Sequence, residues 1–260
     1  MTHVVRVCAR HQSLSRSTEA QSTELGRTAK GESDQSPVPG YAPGVDDALR
    51  WADRLESLAG PVLADMPRAG EAGGAAFARS FRDSAGICRV SDAALFGRLL
   101  GFDPGPIPSH AGPSDRVWWA LFDDGIQWES LVSTGDGPLL PALREEGIET
   151  WTEAELSALH ALWHLARRRD SAEIRERCAR AVAWHLAEVQ PDNATNRPWA
   201  VHAFVLAARR HPDAILHART LVHNAMVERG RPERFAALLL VDAADALRQT
   251  ALGHRGTQAF

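Results

Sequence analysis

The strongest constraint on this chain lies in its second half. There, apolar residues recur at helical spacing, and each run is cut by a short polar turn. Leu156, Leu159, Leu162, Trp163 and Ala166 share one face, and Thr152-x-x-Glu155 reads as a capping box that starts their helix. Arg169-Asp170-Ser171 turns the chain. Ile174, Cys178, Ala181, Val182, His185, Leu186 and Val189 line a second helix, which QPDNATNRP breaks. Trp199, Val201, Phe204, Val205 and Ala208 mark a third, and His211-Pro212-Asp213 is its turn. Ile215, Ala218, Val222 and Met226 mark a fourth. A fifth restarts at Gly230-Arg231-Pro232-Glu233 and runs to about Gln249. A period of 3.6 does not suit strands, so the expected fold class is mainly α, built from antiparallel helical hairpins.

Similar segments return about 40 residues later, the length of two helices and two turns. LHALWHLARRR (159–169) is matched by VHAFVLAARRH (201–211), CAR (178–180) by HAR (217–219), and QPD (190–192) by RPE (231–233). The stretch WHLAEVQPDNATNRPWAVHAF (184–204) resembles the segments that join outer and inner helices in α/α-toroid proteins. The resemblance covers residues 152–250 and implies an α/α-toroid-like ring or a short solenoid. No DxDD box is present, so the resemblance does not extend to terpenoid cyclase activity.

The first half is less regular. Residues 11–43, the bulk of the first 43, hold almost no large apolar group and much Ser, Thr, Gln, Gly and Pro. Such a segment cannot bury enough surface to offset chain entropy, so a disordered tail is expected. Residues 44–150 read as a helical and irregular region, and 151–252 as the hairpin domain, the two forming one folded unit. Leu49, Trp51, Leu55, Leu58 and Val62 predict a first helix. Gly70–Gly74 reads as a loop. Ser91 caps a helix over Asp92–Leu100, with Gly101 at its C′ position. Val117–Val132 fits two strands joined at Asp124-Gly125. It equally fits a helix capped by Ser114 and stopped by Gly125.

Composition removes several function classes. Net charge is −4 with a pI near 6.3, so no global basic field recruits nucleic acid or anionic membrane. Cys8, Cys88 and Cys178 are odd in number and lie far apart. That argues against a disulfide framework and for a reducing compartment. With no signal peptide and no long apolar run, the expected location is cytoplasmic. No P-loop, GxGxxG, GxSxG or HExxH motif occurs.

The densest polar cluster is Asp192, Asn193, Thr195, Asn196, Arg197, Trp199 and His202. A helix starting near Pro198, capped by Thr195 or Asn196, would aim free N–H groups and Arg197 at an anion. Asp192, Asn193, Asn196, Arg197 and Trp199 are thus candidate ligand-binding residues, with His202 as acid or base. The ordinary alternative is a capped loop anchored in the core by Trp199. His160 and His164 stand at i, i+4, the spacing of zinc helices, but HALWH lacks the general-base glutamate. No metal or other cofactor is expected. His185 and the two WHLA tryptophans, Trp163 and Trp184, read as core. Asp242 falls near an apolar face, where an Arg or His partner is expected. The leading expectation is a helical-repeat module that binds a protein partner or itself. The alternative is an α/α-toroid-like enzyme or binder of a carbohydrate or other polar small molecule.

Overall fold

The computed structural model describes residues 45–64, 71–82, 93–141, 147–189 and 195–257. The tail expected over 1–43, the cap Ser91, and Asp192 and Asn193 lie outside the described residues. The molecule is mainly helical, with no strand among the described residues. Its helices are α1 (Val45–Leu63), α2 (Glu71–Ser80), α3 (Ala93–Leu100), α4 (Pro113–Trp119), α5 (Ile148–Arg168), α6 (Ala172–Glu188), α7 (Val201–Ala207), α8 (Ala214–Val227) and α9 (Arg234–Thr257). None is long and apolar enough to cross a membrane.

The core is organised around α5 and α9. In α9, Phe235–Leu240, Asp242–Ala244, Ala246 and Leu247 are all buried, the pattern of a helix enclosed by others. α1 lies along α9 through Ala48, Ala52, Leu55 and Ala59. The two run antiparallel, because Ala48 shares a cavity wall with Ala251 and Pro61 shares one with Phe235. Arg248 of α9 fastens the pair, reaching Glu56 at 2.5 Å and Asp53 at 3.0 Å on α1. α4 packs on α5, α5 on α6, α6 on α7 and α7 on α8.

Several helix starts differ from the sequence expectation. α5 begins at Ile148 with Gly147 as N-cap, so Thr152-x-x-Glu155 is not a capping box. Both side chains are buried instead, and the Glu155 carboxylate accepts N–H donors from Leu139 at 2.5 Å and Leu140 at 2.7 Å. Gly73 and Gly74 sit inside α2 rather than in a loop. α9 continues past Gln249 to Thr257. Over Val117–Val132 neither expectation holds in full. α4 ends at Trp119, and irregular chain with a 3-10 turn at Trp128–Ser130 follows.

That irregular chain is held by side chains in place of a ladder. Arg169 donates to the carbonyls of Ala120, Asp123 and Ile126 at 2.9–3.4 Å. Arg177, fully buried, donates to Ser133 at 2.6 Å and to Gly137 and Pro138 at 2.9 Å. Buried peptide carbonyls need donors, and here guanidinium forks supply them. α6 follows the expected turn, and Ser171 caps it: its Oγ accepts the Ile174 N–H at 3.2 Å.

Candidate functional site

α5 carries His160 and His164 one turn apart on its inner face, and α9 presents Asp242 opposite them. His160 Nε2 lies 2.9 Å from Asp242 Oδ2, and His164 Nε2 contacts the same oxygen. Arg98 of α3 reaches Asp242 Oδ1 at 3.1 Å. One carboxylate therefore gathers three donors from two helices.

The remaining nitrogens fix the proton positions. His160 Nδ1 is 3.1 Å from the Ala200 backbone N–H, and His164 Nδ1 is 3.3 Å from Arg98 Nη2. A peptide N–H and a guanidinium can only donate. Both Nδ1 atoms accept, so both neutral imidazoles carry their proton on Nε2, aimed at Asp242. Ala200 can donate this way because its backbone takes a left-handed turn, φ +52°, before α7.

Burial lowers the pKa of His164 to about 4, against the opposing pull of Asp242. Burial pushes the Asp242 carboxyl up, but His164 and His160 outweigh it and hold it well below the usual range. The cluster is thus an anion with neutral imidazole donors, balanced by Arg98.

His202 completes the group. It is fully buried, with its ring 4.5 Å from His160 and 4.4 Å from Trp163. Neither of its nitrogens has a hydrogen-bond partner. Burial and the two neighbouring imidazoles lower its pKa well below the ordinary value. Ring nitrogens of His160, His164 and His202 come within 4.8 Å of one another, which suits a divalent ion by distance alone. The surrounding donors argue otherwise. A metal on Nε2 needs the proton on Nδ1 and an acceptor beyond it, yet Nδ1 of His160 faces a peptide N–H and that of His164 faces Arg98. The arrangement fits a proton network better than an ion.

The cluster opens on one side. A cavity of about 610 Å³ is lined by Arg98, His164, Arg167, Arg168, Phe102 and Gln249, among others. Arg167 stacks on Trp163 at 5.1 Å and donates to the neutral Gln249 side chain at 2.5 Å. It has no carboxylate partner among the described residues. Burial and then Arg98 lower its pKa. Arg168 meets Asp124 at 3.3 Å on the rim. On α5, His160, His164, Arg167 and Arg168 thus step from the core to the surface along one face.

The residues singled out from sequence are dispersed by comparison. α7 begins at Val201, not near Pro198, and Thr195 Oγ1 accepts the Arg197 N–H at 2.7 Å in a local turn. Arg197 is buried, bonded to Glu153 at 2.6 Å and stacked on Phe235 at 4.9 Å. Its charge is already matched. Trp199 is buried against Trp118, His160 and Phe235. Asn196 is exposed, beside Asn224 and Arg229. Of these residues that the structure describes, only His202 and Trp199 join the histidine cluster. Asp242 has both partner types named for it. Arg98 gave no sequence signal, since its pairing depends on α3 meeting α9. No family model matches the chain, and comparison with curated proteins and with solved structures likewise finds no match.

Proposed function

We propose that this chain is an acid–base enzyme acting on a small, negatively charged polar molecule bound in the cavity beside His164. The observation that supports this reading is the environment of His164. Its Nε2 proton is held by a buried anionic carboxylate, and its Nδ1 lone pair lies on the side of Arg98 and the cavity. An Asp-oriented imidazole whose Nδ1 lone pair is engaged only by Arg98, a donor that an anionic ligand can draw away, is an arrangement a histidine base can use. Arg167, which has no carboxylate partner among the described residues, supplies the charge to hold an anionic group, with the paired Arg98 and Arg168 beside it. Arg98 is also among the groups that keep the His164 pKa low. A ligand carboxylate against Arg98 neutralises that charge and moves His164 toward a useful basicity.

The test is a thermal-shift and calorimetric panel of uronates, hydroxy acids and neutral sugars. Ligand at a hundred times Kd stabilises by roughly 2.7 kcal/mol. A shift with one anionic class is expected, together with its loss in His164→Gln and Arg167→Gln. A cooperative melt that ignores every compound sinks the proposal. A second reading, a helical module for partner binding, is favoured by exposed Leu216 and Val227. They stand three turns apart on one face of α8. Self-association measured by light scattering, abolished by Leu216→Glu, would support it.

A further inference from the structure

A second cavity, of about 480 Å³, lies on another part of the molecule, where the ends of α1 and α2 meet the turn between α8 and α9. Among the described residues, Arg82, Arg229, Arg231 and Arg234 line it, against one carboxylate, Glu233. Many guanidiniums elsewhere in the described chain are engaged: Arg98, Arg168, Arg175, Arg180, Arg197 and Arg248 meet carboxylates, and Arg169 and Arg177 meet carbonyls. Arg229, Arg231 and Arg234 have no ion pair among the described residues. Arg82 is fixed by one nitrogen only, Nη1, which donates to the Phe81 and Arg79 carbonyls at 2.9 and 3.3 Å.

The backbone brings these charges together by specific means. Gly230 has φ +66° and donates its N–H to the Met226 carbonyl at 2.8 Å, closing α8 with a left-handed turn. That turn sets Arg229 and Arg231 on the same cavity wall. The first turn of α9 follows at once. Its opening bond is Ala237 N–H to Glu233 carbonyl at 2.8 Å. The N–H groups of Arg234, Phe235 and Ala236 therefore precede any intrahelical acceptor and add partial positive charge. Pro61, Val62 and Phe81 form an apolar side of the same cavity.

We propose that this cavity is a binding site for a small organic phosphate, separate from the His164 site. Four guanidiniums and a helix N-terminus offer more donors than one carboxylate can accept. A phosphate dianion, with three acceptor oxygens, matches forked arginine donors. The apolar side seats the organic part, so a phosphate monoester is favoured over the free ion. The volume falls within the range of small-molecule sites.

The test uses calorimetry on the full chain at fixed ionic strength, with phenyl phosphate, inorganic phosphate and benzoate as probes. Saturable binding of phenyl phosphate is expected, with benzoate much weaker. Arg231→Gln and Arg234→Gln are both exposed changes and should each weaken it by about tenfold or more. Arg175→Gln, whose partner Asp170 lies elsewhere, should leave it unchanged, and so should Arg167→Gln in the other cavity. Inorganic phosphate binding as tightly as phenyl phosphate keeps the site and removes the role of the apolar side. The proposal is overturned if phenyl phosphate does not saturate, if benzoate binds equally well, or if neither arginine variant has an effect. Loss in Arg167→Gln alone would assign the binding to the His164 cavity and overturn it as well.

Discussion

At the scale of single residues, the histidine–aspartate cluster makes stability depend on acid. The folded His164 pKa is about 4, against an ordinary value of 6.5. Between those values the unfolded chain binds more protons than the folded one. Stability is therefore complete near neutral pH and is lost as pH falls from about 6.5 through about 4. His202, lowered for the same reason, adds to the same slope. Asp242, also lowered, extends the loss below the usual carboxylate range. The expected outcome is a melting temperature that drops steeply between about pH 7 and pH 4, and less steeply in His164→Gln. Equal slopes in the two proteins would mean that His164 does not titrate on unfolding. The i, i+4 pair His160 and His164 was legible in the sequence, and so was the need of Asp242 for an Arg or His partner. Which partner was not legible, because Asp242 lies 78 residues from His164 and nothing local encodes that contact.

At the scale of elements, α3 shows how tightly the first cavity is framed. A Cβ added at Gly97 would sit 2.8 Å from the Phe102 carbonyl oxygen and 3.1 Å from the Phe122 ring. The first of these is backbone and cannot rotate away. The Gly101 and Phe102 N–H groups both bond to the Gly97 carbonyl at 2.9–3.0 Å, closing the helix. Gly97→Ala is expected to destabilise the protein by about 1–3 kcal/mol, as overpacking does. Denaturant titration measures this, and a neutral result would mean that the α3 end moves freely. Gly101 as a C′ residue was readable, and so was the turn at Arg169-Asp170-Ser171, because both act within one turn of their own helix. The α5 start was not. Thr152 and Glu155 have the right spacing for a capping box but are drawn into the core, where Glu155 serves the backbone of Leu139 and Leu140. The anchoring roles of Arg169 and Arg177 were hidden for the same reason: their acceptors lie about 40 residues away along the chain.

At the scale of the whole molecule, helices near the two ends of the described chain pack on one another. Arg248 and Glu56, which join α9 to α1, are 192 residues apart in sequence. Removing everything from Arg234 onward deletes α9, and with it Asp242 and the cover over Ala52 and Leu55. Such a truncated chain is expected to lose its cooperative melt by circular dichroism, although α5 to α8 are intact in sequence. A sharp transition would instead show that the remaining helices form an independent core. The mainly helical class was legible because helical periodicity is local. The pairing of α1 with α9 was not, since neither the apolar stripe of α1 nor the nearly all-round apolar surface of α9 names a partner.

The α1–α9 pairing also sets an order of events during synthesis. The apolar stripe of α1 leaves the ribosome well before α9, its main counterpart, begins to emerge. While the residues between α1 and α9 are being made, that stripe is exposed to solvent, to chaperones and to other nascent chains. Long-range closure of this kind slows folding. A pause in translation before Arg234 therefore prolongs the interval in which aggregation competes with completion of the fold.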